Sequence, residues 1–214
     1  MKERALIIDL HIHSQYSLDS AVEPGNIIKL ARKKGLNGVA VTDHGTIRGG
    51  LEALKVNSDP NFAVIVGSEV EADKVDIIGL FLTQEIQSRK AAEVIDEIQK
   101  QGGLAMWAHP YRVGKNLLPS ELIKRIDLIE GFNAKTLESH NMLAQALARQ
   151  YHKPVIGTSD AHAAEDIGNG ATVVSCSRID DINDALIRGK TRAIALKLSH
   201  EDLYDLRLPA HQLA

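Results

Sequence analysis

Imidazoles and carboxylates gather in four short phrases of this chain: Asp9-Leu10-His11-Ile12-His13, Thr42-Asp43-His44, Ala108-His109-Pro110 and Ser159-Asp160-Ala161-His162. A lone histidine is ordinarily a satisfied surface or core residue, but four such clusters, each following an apolar run, are hard to assign to packing. Together they point to one polynuclear metal site. In an extended segment alternate residues face the same side at ~3.3 Å per residue, so His11 and His13 aim two imidazoles, ~6.6 Å apart at Cα, toward one point. Asp160 and His162 repeat that spacing. Asp9 shares the parity of the two histidines and either holds a ligating imidazole in its binding tautomer or caps a loop; Asp43, beside His44, is a second candidate for the supporting role. His109 precedes Pro110, which predicts an extended backbone there. Glu69 terminates the apolar run Ala63–Gly67, where an ionised carboxylate needs compensation, and a bridging position between two cations would supply it.

Positioning these groups takes an alternation of short Val- and Ile-rich runs with segments of helical period, the pattern of a mostly parallel sheet with crossover helices. The runs predict strands at Ala5–Asp9, Gly38–Thr42, Ala63–Ser68, Val75–Leu82, Leu104–Ala108, Leu128–Phe132, Val155–Thr158, Ala171–Ser175 and Thr191–Ala195. Helices are expected at Pro24–Lys34, with Pro at its start and Gly35 at its stop, at Glu85–Gln101, Leu137–Gln150 and Ile179–Arg188, and briefly after Pro119. The pair Gly49-Gly50 reads as a turn. Each chemical phrase falls at the end of a predicted strand, the edge where active sites form in barrel-like α/β folds.

With 214 residues, 44% of them hydrophobic, the chain suits one α/β domain, 1–214, with a core at about 6–195 and a polar tail at about 199–214. A net charge of −3 with mixed signs gives neither a nucleic-acid tract nor a polybasic membrane segment. A single cysteine, Cys176, excludes an intrachain disulfide and cysteine-based zinc clusters, so any metal sits on His, Asp and Glu. The apolar stretch at the N-terminus is too short for a signal peptide, and no run of ~20 apolar residues occurs. A cytoplasmic location is expected. His140, His152, His200 and His211 lack partners at ligand spacing and read as surface residues.

The runs DLHIHSQYSLDS, LARKKGLNGVAVTDHGTIRGGLEA, VGSEVEA, AHPYR, IEGFN and GTSDAH, in this order over about residues 6–195, resemble the PHP (polymerase and histidinol phosphatase) family of metal-dependent phosphoesterases. HxH alone is a weak signal; the ordered set is specific. The resemblance implies a distorted (β/α)7 TIM-like barrel whose strand ends hold two or three divalent ions, Zn, Mn or Fe. It places His11, His13, Glu69 and Asp160 around one metal, Glu69 bridging to a second that also takes His109, and Asp19, His44 and His162 around a third. Asn133 stands where many members carry a further His or Cys, and its neutral amide oxygen is a weaker ligand. Asp76, where a His is frequent, is peripheral.

Phosphate-ester hydrolysis needs a nucleophile at neutral pH and relief of negative charge on the transferring phosphoryl group, and clustered divalent ions provide both, with a metal-bridging hydroxide as attacker and no side-chain nucleophile. Arg112 is the first candidate for a phosphate contact, Arg48 the second and Lys135 a weaker third. The leading expectation is hydrolysis of a small phosphomonoester such as a nucleotide, histidinol phosphate or a sugar phosphate. The alternatives are a 3′–5′ exonuclease or phosphodiesterase, which would want a basic track, a protein-tyrosine phosphatase, and a non-catalytic metal-binding module. The sequence leaves no room for a cap domain between Glu69 and His109, so short loops such as Arg112–Pro119 and Ala163–Gly170 must set specificity. It does not fix the oligomeric state.

Overall fold

The computed structural model describes residues 4–195, so the polar tail, His200 and His211 lie outside the described residues. Val- and Ile-rich runs form strands β1 (Arg4–Ile12), β2 (Gly38–Val41), β3 (Ala63–Ala72), β4 (Val75–Leu80), β5 (Leu104–Trp107), β6 (Leu128–Asn133), β7 (Val155–Thr158), β8 (Gly170–Cys176) and β9 (Thr191–Ala195). Between them lie helices α1 (Pro24–Lys33), α2 (Arg48–Val56), α3 (Ala91–Lys100), α4 (Ser120–Arg125), α5 (Glu138–Gln150) and α6 (Ile182–Ile187). One sheet runs in the order β7-β6-β5-β4-β3-β2-β1-β8-β9. It curls until the two arms nearly meet: His13 N donates to Ala161 O at 2.8 Å beyond β7, and Thr191 Oγ1 of β9 donates to Val155 O of β7. The result is a nearly closed, barrel-like α/β architecture.

The barrel is less regular than a mostly parallel reading suggests. The pairs β1–β2, β2–β3, β5–β6 and β6–β7 are parallel, but β3–β4, β4–β5, β1–β8 and β8–β9 are antiparallel. No helix separates β3 from β4; the chain reverses at Asp73 and Lys74, both with positive φ. Seven literal strand–helix repeats are therefore not what the sheet contains. Leu6, Ile8, Leu10, Ile65, Ile78, Leu80, Met106, Leu128 and Ile156 fill the barrel, and Ile182, Ala185 and Leu186 around α6 pack against the same cluster. Outside it, α1 and α2 cover one flank through Ile27, Ile28 and Ala53, and α3 and α4 cover another through Val94, Ile95 and Ile123.

Three local differences from the sequence reading matter for the site. The segment expected to be helical from Glu85 begins its helix only at Ala91, because side chains take over the backbone groups before it: Gln101 accepts from Gln84 N and Glu97 from Gln87 N and Ser88 N, while Glu85 itself is drawn to Thr46 Oγ1 and Ile47 N. His109 is not extended despite Pro110; its φ is 28°. Finally, Gly49-Gly50 is not a turn but the first turn of α2.

That last feature has a steric cause. A Cβ on Gly49 would collide with Asp43 Oδ2 and Ser14 Oγ, and one on Gly50 would press on Val66 Cα at 3.0 Å. The glycines let α2 lie directly on the loops that carry the site. Gly49→Ala is expected to destabilise the fold by about 1–3 kcal/mol through overpacking, despite alanine's better helix propensity, as read by urea denaturation. An unchanged midpoint would show that the Asp43 loop yields freely.

Candidate metal centre

A register shift in β1 between Asp9 and Ile12 decides which way the first phrase points. Leu10 stays with Leu6 and Ile8 in the barrel cluster, whereas Ile12 joins the outer cluster under α1. His11 and His13 therefore crown the barrel interior, and Asp9 does not share their face. Asp9 instead accepts from Ser159 N at 3.0 Å and Gly168 N at 2.9 Å, tying the loop after β7 to β1. Burial outweighs these hydrogen bonds and raises its pKa to about 6. Of its two expected roles, the loop cap is the one observed.

At the C-terminal ends of the strands the remaining groups converge. His11 Nε2 and His13 Nε2 face each other at 3.0 Å. Glu69 Oε2 lies 3.3 and 3.2 Å from them, and Asp160 Oδ1 lies 3.4 and 3.5 Å away. A tetrahedron with metal–ligand distances of ~2.0–2.1 Å has edges of roughly 3.3–3.4 Å, so these spacings suit one cation. Glu69 reaches further: Oε1 is 2.9 Å from His109 Nε2, and Oε2 is 3.3 Å from His44 Nδ1. At the outer edge Asp19 Oδ2 stands 3.3 Å from His44 Nε2 and 3.2 Å from His162 Nε2, with the His13 ring 4.4 and 4.1 Å from those two imidazoles. All eight principal residues are thus brought together, with Glu69 at their middle. It sits within β3, which continues to Ala72 rather than ending near Ser68.

The tautomers are set from behind. His11 Nδ1 donates to Glu130 Oε1 at 2.8 Å, His13 Nδ1 to Ser17 Oγ at 3.1 Å and His162 Nδ1 to Asp160 O at 2.9 Å. Each turns Nε2 into the cluster as the nitrogen that can bind a cation once it carries no proton. Asp43 supports His13 through Ser17, whose hydroxyl donates to Asp43 Oδ1 at 2.8 Å, while Ser14 donates its N–H and Oγ–H to the same carboxylate. Glu130 is the residue that sequence reasoning missed. Buried in β6, it also accepts from His109 N at 2.6 Å, Thr158 Oγ1 at 2.6 Å and Asn133 Nδ2 at 3.0 Å. An acidic residue inside the apolar run Leu128–Phe132 was the signal that could have found it.

Other expected residues fall differently. Asn133 turns its NH2 toward Glu130 and Asp160, and its oxygen accepts Lys135 N–H; the two carboxylates need donors, so the amide contributes no free oxygen ligand. Asp76 is nearer than expected, with Oδ2 3.7 Å from His109 Nδ1, and it is held by Lys115 Nζ at 2.9 Å. Arg112 pairs with Asp160 Oδ2 at the mouth. Arg48 is exposed and stacks over Tyr16, 5.1 Å from the ring centre. Lys135 Nζ lies 3.0 Å from Asp166 and 3.5 Å from His162. His140 is half-buried and His152 exposed.

Two features make this donor set fit divalent cations. His109 Nδ1 and Asp160 Oδ1 are buried without a hydrogen-bond partner, which costs about 1–3 kcal/mol for each such atom unless something else binds it. Three carboxylates, Glu69, Glu130 and Asp160, are also buried together. Burial opposes charge on Glu69 and Asp160, but the charge on His11, joined at Glu69 by the hydrogen bond from His109, outweighs it and holds both carboxyls well below their usual range. Conversely, burial would depress His11, yet Asp160, Glu69 and Glu130 hold its pKa well above normal. A proton on His11 thus balances the carboxylates, and a bound cation would displace it and take over that role. His109 and Asp160, at φ 28° and 54°, carry the backbone strain that tends to persist where surrounding structure over-determines a site.

Residues 9–201 match the PHP domain family. The chain belongs to the PHP family. An uncharacterized protein of Methanocaldococcus jannaschii, MJ1587, is 42% identical over 138 residues, spanning 59% of this chain and 81% of that protein. Among solved structures, the PHP fold is shared with a two-domain protein from Bacteroides vulgatus that contains a predicted PHP-like metal-dependent phosphoesterase, at a TM-score of 0.79 and 21% identity over 95% of this chain and 69% of that one. It is shared too with endonuclease Q in complex with a 27-mer duplex carrying an abasic lesion, at a TM-score of 0.61 and 18% identity over 90% of this chain and 59% of that one.

Proposed function

We propose that this PHP chain is a divalent-metal-dependent phosphoesterase that hydrolyses a small phosphomonoester such as a nucleotide, histidinol phosphate or a sugar phosphate. The observation that carries the reading is the convergence of imidazole lone pairs and carboxylate oxygens on Glu69, with a guanidinium, Arg112, at the mouth. His11, His13, Glu69 and Asp160 would hold one cation, Glu69 and His109, with Asp76 alongside, a second, and Asp19, His44 and His162 a third. When bound, Zn, Mn or Fe supplies a nucleophile at neutral pH and stabilises charge on the transferring phosphoryl group. Arg112, about one-third exposed at 34%, can leave Asp160 for a phosphate oxygen, and Lys135 beside His162 offers a second cation. Arg48, engaged with Tyr16, is the less favoured contact.

The fold shared with endonuclease Q favours a second reading, cleavage of a phosphodiester in DNA, although a net charge of −3 gives that reading no electrostatic support. No helix among the described residues is long and apolar enough to cross a membrane. The test is phosphate release from a panel of phosphomonoesters and one diester, using metal-stripped protein reloaded with Mn, Zn or Fe. Metal-dependent release from monoesters alone is expected. Cleavage of the diester alone would favour the second reading, and binding of metal without turnover of any ester would move the protein to a non-catalytic class.

A further inference from the structure

A groove of about 520 Å³ opens beside the metal cluster, between the first two turns of α1 and the start of the loop after β7. Ala21, Val22, Leu30, Ala163 and Ala164 give it apolar walls, and Glu23, Asn26 and Lys29 place polar groups along one edge. Asn26, Lys29 and Leu30 sit at i, i+3 and i+4, so one face of α1 builds that side. His162 belongs to both places: its Nε2 faces Asp19 in the cluster, and its side chain also lines the groove.

We infer that this groove receives the alcohol portion of the ester and sets substrate choice, favouring a bulky, largely apolar alcohol with hydrogen-bonding groups along one edge over a small polyol. This rests on the phosphoesterase reading. The alcohol of a phosphate ester held at the cluster next to His162 has to extend out past the ligating atoms, and the groove adjoins them across that ring. Its size lies within the range of pockets that enclose ligands of roughly 300–1,000 Å³. The mixed edge of Glu23, Asn26 and Lys29 carries both signs, so it suits neutral polar groups rather than a second phosphate. On this inference α1, through Asn26, Lys29 and Leu30, joins the loop from Ala163 onward in setting specificity.

The experiment compares 1-naphthyl phosphate with glycerol 3-phosphate in the metal-loaded protein and in Asn26→Trp, which fills the groove from an exposed helix position. The ratio of kcat/KM for naphthyl over glycerol ester is expected to exceed 10 in the wild type and to fall at least tenfold in the variant, on the order of 1.4 kcal/mol. In parallel, 1-naphthol, which has no phosphate, is titrated into the metal-free protein, and amide resonance shifts are expected to centre on residues 21–30 and 162–164. An unaltered ratio in Asn26→Trp, or naphthol shifts elsewhere or nowhere, overturns the inference. Absence of turnover with either ester in every metal form would instead sink the phosphoesterase reading, leaving the groove to be judged by the naphthol shifts alone.

Discussion

Asp160→Asn is expected to cut metal-dependent ester hydrolysis by about 10²–10³-fold or more while leaving the protein folded. The substitution keeps the shape of the side chain and removes one negative charge from the middle of the cluster. Asp160 sits at φ 54°, a left-handed conformation that Asn tolerates as readily as Asp, so the backbone has no reason to move. The new amide can keep the contact with Asn133, whose NH2 lies 3.1 Å from Oδ2. What it loses is the anionic Oδ1, the buried oxygen that makes no hydrogen bond among the described residues and faces His11 Nε2 and His13 Nε2 at 3.4 and 3.5 Å. Arg112 loses its counter-ion at the same time, so some weakening of substrate binding accompanies the loss of turnover. The measurement is phosphate release with metal content counted by mass spectrometry and folding followed by circular dichroism. Near-normal turnover at full metal content would remove Asp160 from the centre of the chemistry.

Glu130→Gln is expected to act from behind the cluster, lowering metal affinity by about 10–100-fold and stability by about 3–5 kcal/mol. The carboxylate accepts four hydrogen bonds, from His11 Nδ1, His109 N, Thr158 Oγ1 and Asn133 Nδ2. An amide in its place must turn one NH2 group toward at least one of these donors, and wherever it turns a buried polar contact becomes repulsive. If the NH2 faces His11, the imidazole must switch tautomer and donate from Nε2, which withdraws the lone pair from the cation. Competition titration against a chromophoric chelator reads the affinity, and denaturant unfolding of the metal-free protein reads the stability. A loss of affinity with stability unchanged would mean that Glu130 orients His11 but does not help hold β6 against β1, β5 and β7. No loss of affinity would show that the His11 tautomer is fixed elsewhere.

Much of this arrangement was legible from the chain alone. Val- and Ile-rich runs fixed every strand to within a few residues because a buried barrel strand must be apolar on at least one face, and the chemical phrases followed those runs. His11, His13, His44, Glu69, His109, Asp160 and His162 were nameable by residue type and place, Asp19 only through the resemblance to the PHP family, and ligand chemistry restricted a chain with one cysteine to nitrogen and oxygen donors. Contacts between residues far apart in sequence were not legible. Glu130 lies 119 residues from His11, and nothing in Ile129-Glu130-Gly131 states which imidazole it will hold. Asp9 looked like a partner of His11 because strand parity is a local rule; the shift in β1 that breaks it depends on pairing with β2. Gly49 read as a turn until α2 packed on Asp43, and Asn133 read as a ligand until two carboxylates claimed its NH2. Residue types and local periodicity determined which elements form and which atoms can bind a cation. Tertiary packing decided which lone pairs meet, because that depends on register, tautomer and the competition of buried donors for acceptors.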